Sequence, residues 1–154
     1  MASDGKLNAL VGLSSELADL VERAAGVVYS VDARRKFPAS GFAISENHIL
    51  TADHVIEREE GLFAGDGKEK YAAALVGRDP HHDLALLSIA GVPMSPLPNG
   101  VGDTRVGGLA IALARPGKGI QASLGLISSI GAWPSRRENA TIPAVLRAEV
   151  TPHP

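Results

Sequence analysis

The sequence contains no cysteine, which excludes disulfides and thiolate zinc sites and leaves the redox compartment open. Aromatic residues are sparse at 4%, although a hydrophobic fraction of 45% still suffices for a core. Neither sign of charge dominates. The net charge is −2, and no basic cluster exceeds Arg34-Arg35-Lys36 or Arg136-Arg137, so the electrostatic footprint of a nucleic-acid binder is missing. No apolar run approaches the length of a membrane span. The first residues carry Asp4 and Lys6 and no hydrophobic signal core, so no export signal is visible and localisation stays open. Phosphate loops, dinucleotide fingerprints and paired-carboxylate glycosidase signals are also missing, and no cofactor is expected.

Glycine and proline, by contrast, are plentiful: 17 and 10 residues in a chain of 154. That density of turn formers favours short strands over a helical bundle. The length suits one medium domain or two small barrels sharing an interface. A single helix is expected at the start, after a loose arm of about a dozen residues. Ser14 or Ser15 would cap it, Leu13, Leu17, Leu20, Val21 and Ala24 would form its apolar face, and Gly26 would stop it. From Val27 the pattern changes to β-formers. Strands are expected at Val27–Val31, Ser40–Ile44, Ile49–Leu50, Leu62–Ala64, Tyr71–Val76 and Leu84–Ile89. The proline- and glycine-containing stretch Ala90–Asp103 reads as a connection. A second set of strands is expected at Leu109–Ala114, Ile120–Ile127 and Ala144–Val150. The sum is an all-β sandwich or barrel.

The chemistry gathers in two places. A short apolar segment, Ile49-Leu50, runs into Thr51-Ala52-Asp53-His54-Val55, which delivers a histidine to the end of a hairpin. Asp79-Pro80-His81-His82-Asp83 then heads the apolar strand Leu84–Ile89, and Asp83 lies 29 positions after His54. An imidazole, with its ordinary pKa of about 6.5, takes a hydroxyl proton and returns it to a leaving amine. A carboxylate on its other nitrogen holds the tautomer. These are two thirds of a Ser-His-Asp triad. The bland alternatives are a surface histidine and a strand-start aspartate that satisfies its own turn. His81 and His82, adjacent on an extended chain, would point to opposite faces and suit solvent better than a shared metal ion.

The residues SGFAISENHILTADHV, from Ser40 to Val55, resemble the pattern S-G-F-x-I-x-x-x-x-I-L-T-x-x-H-V of trypsin-like serine proteases of the HtrA/Deg family. Val76 to Leu87, VGRDPHHDLALL, resembles that family's V-G-x-D-x-x-x-D-L-A-L-L. A weaker third block runs from Arg105-Val106-Gly107 through Pro116-Gly117 to Ser123-Leu124-Gly125-Leu126-Ile127-Ser128. The three blocks stand in the family's order.

The resemblance implies a chymotrypsin-like double β-barrel. Residues 1–25 would be an arm and helix, 26–100 a complete first barrel, and 101–154 the opening strands of a second. It implies His54 as catalytic base and Asp83, in preference to Asp79, as its partner, with neither cofactor nor metal. The nucleophile would sit in a G-x-S-G-G segment just past Ala148-Glu149-Val150-Thr151-Pro152-His153-Pro154, so these residues alone would be inactive. Substrates would be unfolded or damaged proteins. Partners would be protein or peptide chains, a C-terminal portion of the same protein, or further copies of this chain. The rival reading is a catalytically silent binding module, or half of a two-chain assembly.

Two positions depart from the family pattern. Asp53 stands where a small residue is usual, and a carboxylate there would be either harmless in solvent or, if buried beside the ring, would favour the imidazolium. Arg115 stands before Pro116 where a glycine-asparagine pair is common.

Overall fold

The computed structural model describes residues 2–91, 94–96, 104–134 and 141–151. It begins with one helix, α1 (Ala2–Ala25). This helix is longer than the capping signals predict, because it absorbs the expected arm. Residues 2–13 hold no proline, and Leu7, Ala9 and Leu10 are good helix formers. Gly5 and Gly12 each cost about 1 kcal/mol without ending the helix. The face expected from periodicity is only partly covered: Leu17, Val21 and Ala24 are half-buried, whereas Leu13 and Leu20 are exposed, as are Leu7, Leu10 and Val11 on the added turns. Gly26 follows the last helical residue, and Val27 N–H donates to Ala24 O to close the end.

Six strands then form a closed antiparallel barrel in the order β1-β2-β3-β6-β5-β4. They are β1 (Val28–Asp32), β2 (Ala39–Ser45), β3 (His48–Thr51), β4 (Leu62–Gly65), β5 (Lys70–Asp79) and β6 (Leu84–Ile89). Alternate residues point inward, as the period of two requires. Val31, Ala43, Ile49, Leu62, Ala64, Ala85 and Leu87 are essentially inaccessible, with Tyr29, Ile89 and Met94 packed against them. Burial of each of the larger side chains, Val31, Ile49, Leu62 and Leu87, stabilises by about 1.5–3 kcal/mol. Closure also removes the unpaired edges that an open six-stranded sheet would present.

Gly41 is where this packing is tightest. A Cβ there would fall 2.6 Å from Ile49 Cγ2 and 2.9 Å from Leu50 O. Its presence in the S-G-F block therefore reflects the close approach of β2 to β3. Next to it, the buried Thr51 hydroxyl donates to Ser40 O at 2.9 Å, which ties the end of β3 to β2.

A three-stranded sheet, β7 (Leu109–Ala114), β8 (Gln121–Pro134) and β9 (Thr141–Glu149), follows in the order β7-β8-β9. The chain thus holds one complete barrel and, in its second unit, a partial sheet. β8 runs further than expected, past Ile127 to Pro134, and its pairing with β9 shifts register at Ile127/Ser129. Those irregularities, together with the polar pair Ser128-Ser129, broke the alternation that would have extended it. Gly125 permits the approach of β9, since a Cβ at that position would collide with Glu149 O. On this sheet Ile127 is buried, while Leu124, Leu126, Ile130 and Leu146 are exposed. By compactness the chain divides in two. One unit contains α1, the barrel and Leu113–Gln121; the other contains most of the three-stranded sheet. Most of the connection expected at Ala90–Asp103, and the segment after Thr151, lie outside the described residues.

Candidate active site

The site follows from strand register. β3 and β6 pair antiparallel, with Thr51 opposite Ala85. The end of β3 therefore lies beside the start of β6, and residues just past one strand meet residues just before the other. Ala52 continues extended, at φ −75° and ψ 143°, and the chain then tightens into a 3₁₀ turn over Asp53–Val55 that carries His54. On the facing side Asp83 adopts φ 57°, a left-handed conformation that aspartate tolerates better than most residues.

That conformation lets one residue grip the histidine turn three times. Asp83 O accepts from Asp53 N–H at 3.1 Å. Asp83 Oδ1 accepts from His54 N–H at 2.9 Å, and Oδ2 lies 2.7 Å from His54 Nδ1. The backbone N–H of His54, and after it the imidazole, hold the Asp83 carboxyl below the usual carboxylate range. With Nδ1–H directed at a carboxylate, Nε2 carries the lone pair and is available as a proton acceptor. Both side chains are accessible, at 69% for His54 and 52% for Asp83.

Asp79, the competing carboxylate, is spent on its own turn. Its Oδ1 accepts from the backbone N–H of His81 and His82, and its Oδ2 lies 2.7 Å from His82 Nδ1. His81 and His82 stand on this tight turn, edge to face with centroids 4.8 Å apart, instead of on the extended chain assumed from the sequence. Among the described residues no group of three His, Asp or Glu side chains is placed to hold a metal ion.

Asp53 is not in solvent, and its carboxylate has a partner that the sequence did not indicate. It is buried, at 8% exposure, and it is paired with Arg78 on β5, whose Nε donates to Asp53 Oδ1 at 2.5 Å. Arg78 also donates to Asp53 O, to Ile56 O and to Glu59 Oε1. The Asp53 carboxylate, ahead of Glu59, raises the Arg78 pKa further. Sequence reasoning missed Arg78 and Glu59. The available signal was the unusual acid at position 53, which needed a cation once buried, but nothing local says which arginine answers.

Comparison with known proteins gives the family and the fold. A family model described as a trypsin-like peptidase domain matches residues 39–154. The chain belongs to the trypsin-like peptidase family. Within it, the similarity is to the HtrA/Deg proteases. A probable periplasmic serine endoprotease, DegP-like, from Pseudomonas fluorescens is 32% identical over 139 residues, covering 85% of this chain and 29% of the relative. The periplasmic pH-dependent serine endoprotease DegQ of Escherichia coli is 34% identical over 93 residues, covering 56% of this chain and 20% of the relative. The chain thus spans between a fifth and three-tenths of the length of these two relatives. In fold it matches the crystal structure of Deg5 with a TM-score of 0.74 at 24% identity, over 91% of this chain and 75% of that one.

Proposed function

We propose that this chain is the histidine- and aspartate-bearing part of an HtrA-like serine endopeptidase. The observation that carries the proposal is the threefold grip of Asp83 on the His54 turn, which fixes the ring's position and tautomer together. In the complete enzyme, His54 Nε2 takes the proton of a serine hydroxyl as its oxygen attacks the scissile carbonyl carbon. The C–N bond then breaks as the imidazolium returns that proton to the leaving amine. Water repeats the cycle on the acyl-enzyme. Asp83 stays ionised throughout and stabilises the imidazolium. No cofactor enters the reaction.

None of the chain's serines stands in a G-x-S-G setting, so the nucleophile and its oxyanion-forming backbone would come from a segment beyond Pro154. On this reading the 154 residues alone hydrolyse no peptide bond. The exposed Leu124, Leu126, Ile130 and Leu146 support a sheet that is one part of a larger barrel. Substrates would be unfolded protein chains, in keeping with the endoprotease activity named for the relatives, and the complete enzyme would assemble as an oligomer.

The exposed Leu124, Leu126, Ile130 and Leu146 also fit a second reading, a catalytically silent module that pairs with another chain. The reading frame past the codon for Pro154 separates the two. A G-x-S-G segment there supports the protease. A stop codon or unrelated sequence contradicts it, and the search then turns to a partner chain.

A further inference from the structure

Asp53 departs from the usual small residue before the histidine, and it is buried, so its charge has to be answered. Arg78 answers it, and in doing so it reaches past the carboxylate to the turn itself. Two of its contacts are to main-chain carbonyls, Asp53 O at 3.4 Å and Ile56 O at 3.5 Å, which lie on either side of His54. Glu59, five positions beyond the histidine, takes the remaining edge of the guanidinium at 3.2 Å. The 3₁₀ turn is thus held from two directions. Asp83 holds it from the start of β6 through the His54 and Asp53 amides, and Arg78 holds it from β5 through the carbonyls and the Asp53 side chain.

Arg78 lies one residue before Asp79, the anchor of the turn that leads to Asp83, and it pairs with Ala85 across the β5–β6 ladder. One guanidinium therefore joins the strand that leads to the aspartate and the turn that bears the histidine. We propose that Arg78 and Asp53 are positioning residues, a clamp that sets the distance between the His54 ring and the Asp83 carboxylate. The clamp also keeps the Asp53 charge occupied, so that it does not compete with Asp83 for the ring. The inference rests on the proposed function only in giving the His54–Asp83 pair a catalytic purpose; the clamp itself is a statement about geometry. The planar fork suits this task, because several acceptors at fixed angles are met by one rigid group, which an ammonium cannot do.

The charged groups at the site are Asp83 at the start of β6, Asp53 within the turn, Arg78 on β5, Glu59 after the turn, and the Asp79–His82 pair in the turn between β5 and β6. The test is made on the whole chain by NMR. It follows the low-field Nδ1 proton shared between His54 and Asp83, the pH at which the Asp83 carboxyl titrates, and amide exchange at Asp53 and His54. The principal variant is Asp53→Asn with Arg78→Met, which removes both charges and strands neither.

If the clamp positions the pair, this variant loses the low-field proton to solvent exchange. Asp83 then titrates nearer the ordinary carboxylate value of about 3.9, and the His54 amide exchanges at least tenfold faster. A variant that is merely less heat-stable, with all three signals unchanged well below its melting temperature, overturns the proposal. Should the double variant not fold, Arg78→Lys keeps the charge and gives up the fork. Faster His54 amide exchange in it supports the clamp, and an unchanged rate overturns it. Asp83→Asn is the control for the pair itself. It abolishes the low-field proton if the pair is as described, whereas persistence of that proton contradicts the His54–Asp83 assignment and leaves the clamp to be judged on amide exchange alone.

Discussion

Replacing Arg115 by methionine gives a direct measure of how the barrel is tied to the segment that follows β7. Arg115 is 93% shielded, at 7% exposure. Its Nε donates to Val28 O at 2.7 Å, one terminal nitrogen to Ala25 O at 2.9 Å and the other to Lys118 O at 2.9 Å. Its backbone N–H meets Ser40 Oγ at 2.8 Å. The guanidinium thus joins the last residue of α1, the first residue of β1 and its own loop. Methionine keeps the packing of the stem and removes all three side-chain donors. The buried Val28 carbonyl then costs about 2 kcal/mol, and the lost hydrogen bonds to half-buried Ala25 and exposed Lys118 about 1 kcal/mol each. Relief of guanidinium desolvation, whose penalty already depresses the Arg115 pKa, returns about 1 kcal/mol of this. The expected net loss is about 3 kcal/mol, or a fall in melting temperature of roughly 6–12 °C for a chain of this size. Urea unfolding followed by circular dichroism measures it. A loss below about 0.5 kcal/mol would refute the reasoning, because it would mean that those carbonyls find water as soon as the arginine leaves.

Two further outcomes are expected. Gly41→Ala should destabilise by about 1–3 kcal/mol, because the new methyl must displace Ile49 Cγ2 and the Leu50 carbonyl, as overpacking generally does. A melting temperature unchanged within a degree would mean that β2 and β3 separate freely. Acid should also weaken the fold. Asp32, held low first by Lys70, Asp66, held low first by the Glu69 backbone N–H, and Asp83, held low first by the His54 N–H, all have depressed pKa values. Their stabilisation is therefore complete above the unfolded carboxylate value of about 3.9 and is lost as pH falls through the lower folded values. Thermal scans from pH 6 downward should show a level melting temperature to about pH 4 and a decline below it, and a level profile to pH 2.5 would contradict the carboxylate contacts.

The legible parts of this molecule were those in which local pattern and tertiary need coincide. The short apolar segments Ser40–Ile44 and Leu84–Ile89, bounded by turn formers, mark strands, but the buried face is not read from them: β6 buries Ala85, Leu87 and Ile89, whereas β2 buries Gly41 and Ala43 and leaves Phe42 and Ile44 exposed. The ends of α1 were only half legible. Gly26 stops it as expected, but its start was misread because capping serines at 14 and 15 also sit comfortably inside a helix when no proline precedes them. His54 and Asp83 were found through their flanking blocks, and their meeting depends on the β3–β6 register, which no periodicity discloses. Asp53 was noticed as a departure, yet its partner 25 positions away could be identified only once β5 was seen beside the turn. The same holds for Arg115, whose carbonyl acceptors lie up to 90 positions earlier.

The measurement closest to the central claim is proteolysis of an unfolded protein by a longer form of this protein that carries a G-x-S-G segment, compared with its His54→Ala variant. The side chain of His54 is exposed and its backbone contacts to Asp83 do not involve the ring, so the variant should fold as the parent does. Its kcat/KM should fall by about 10⁴-fold or more, as it does when a triad base is removed. A folded variant that retains proteolysis within tenfold of the parent would contradict the account, because the proton acceptor would then have to be some other group.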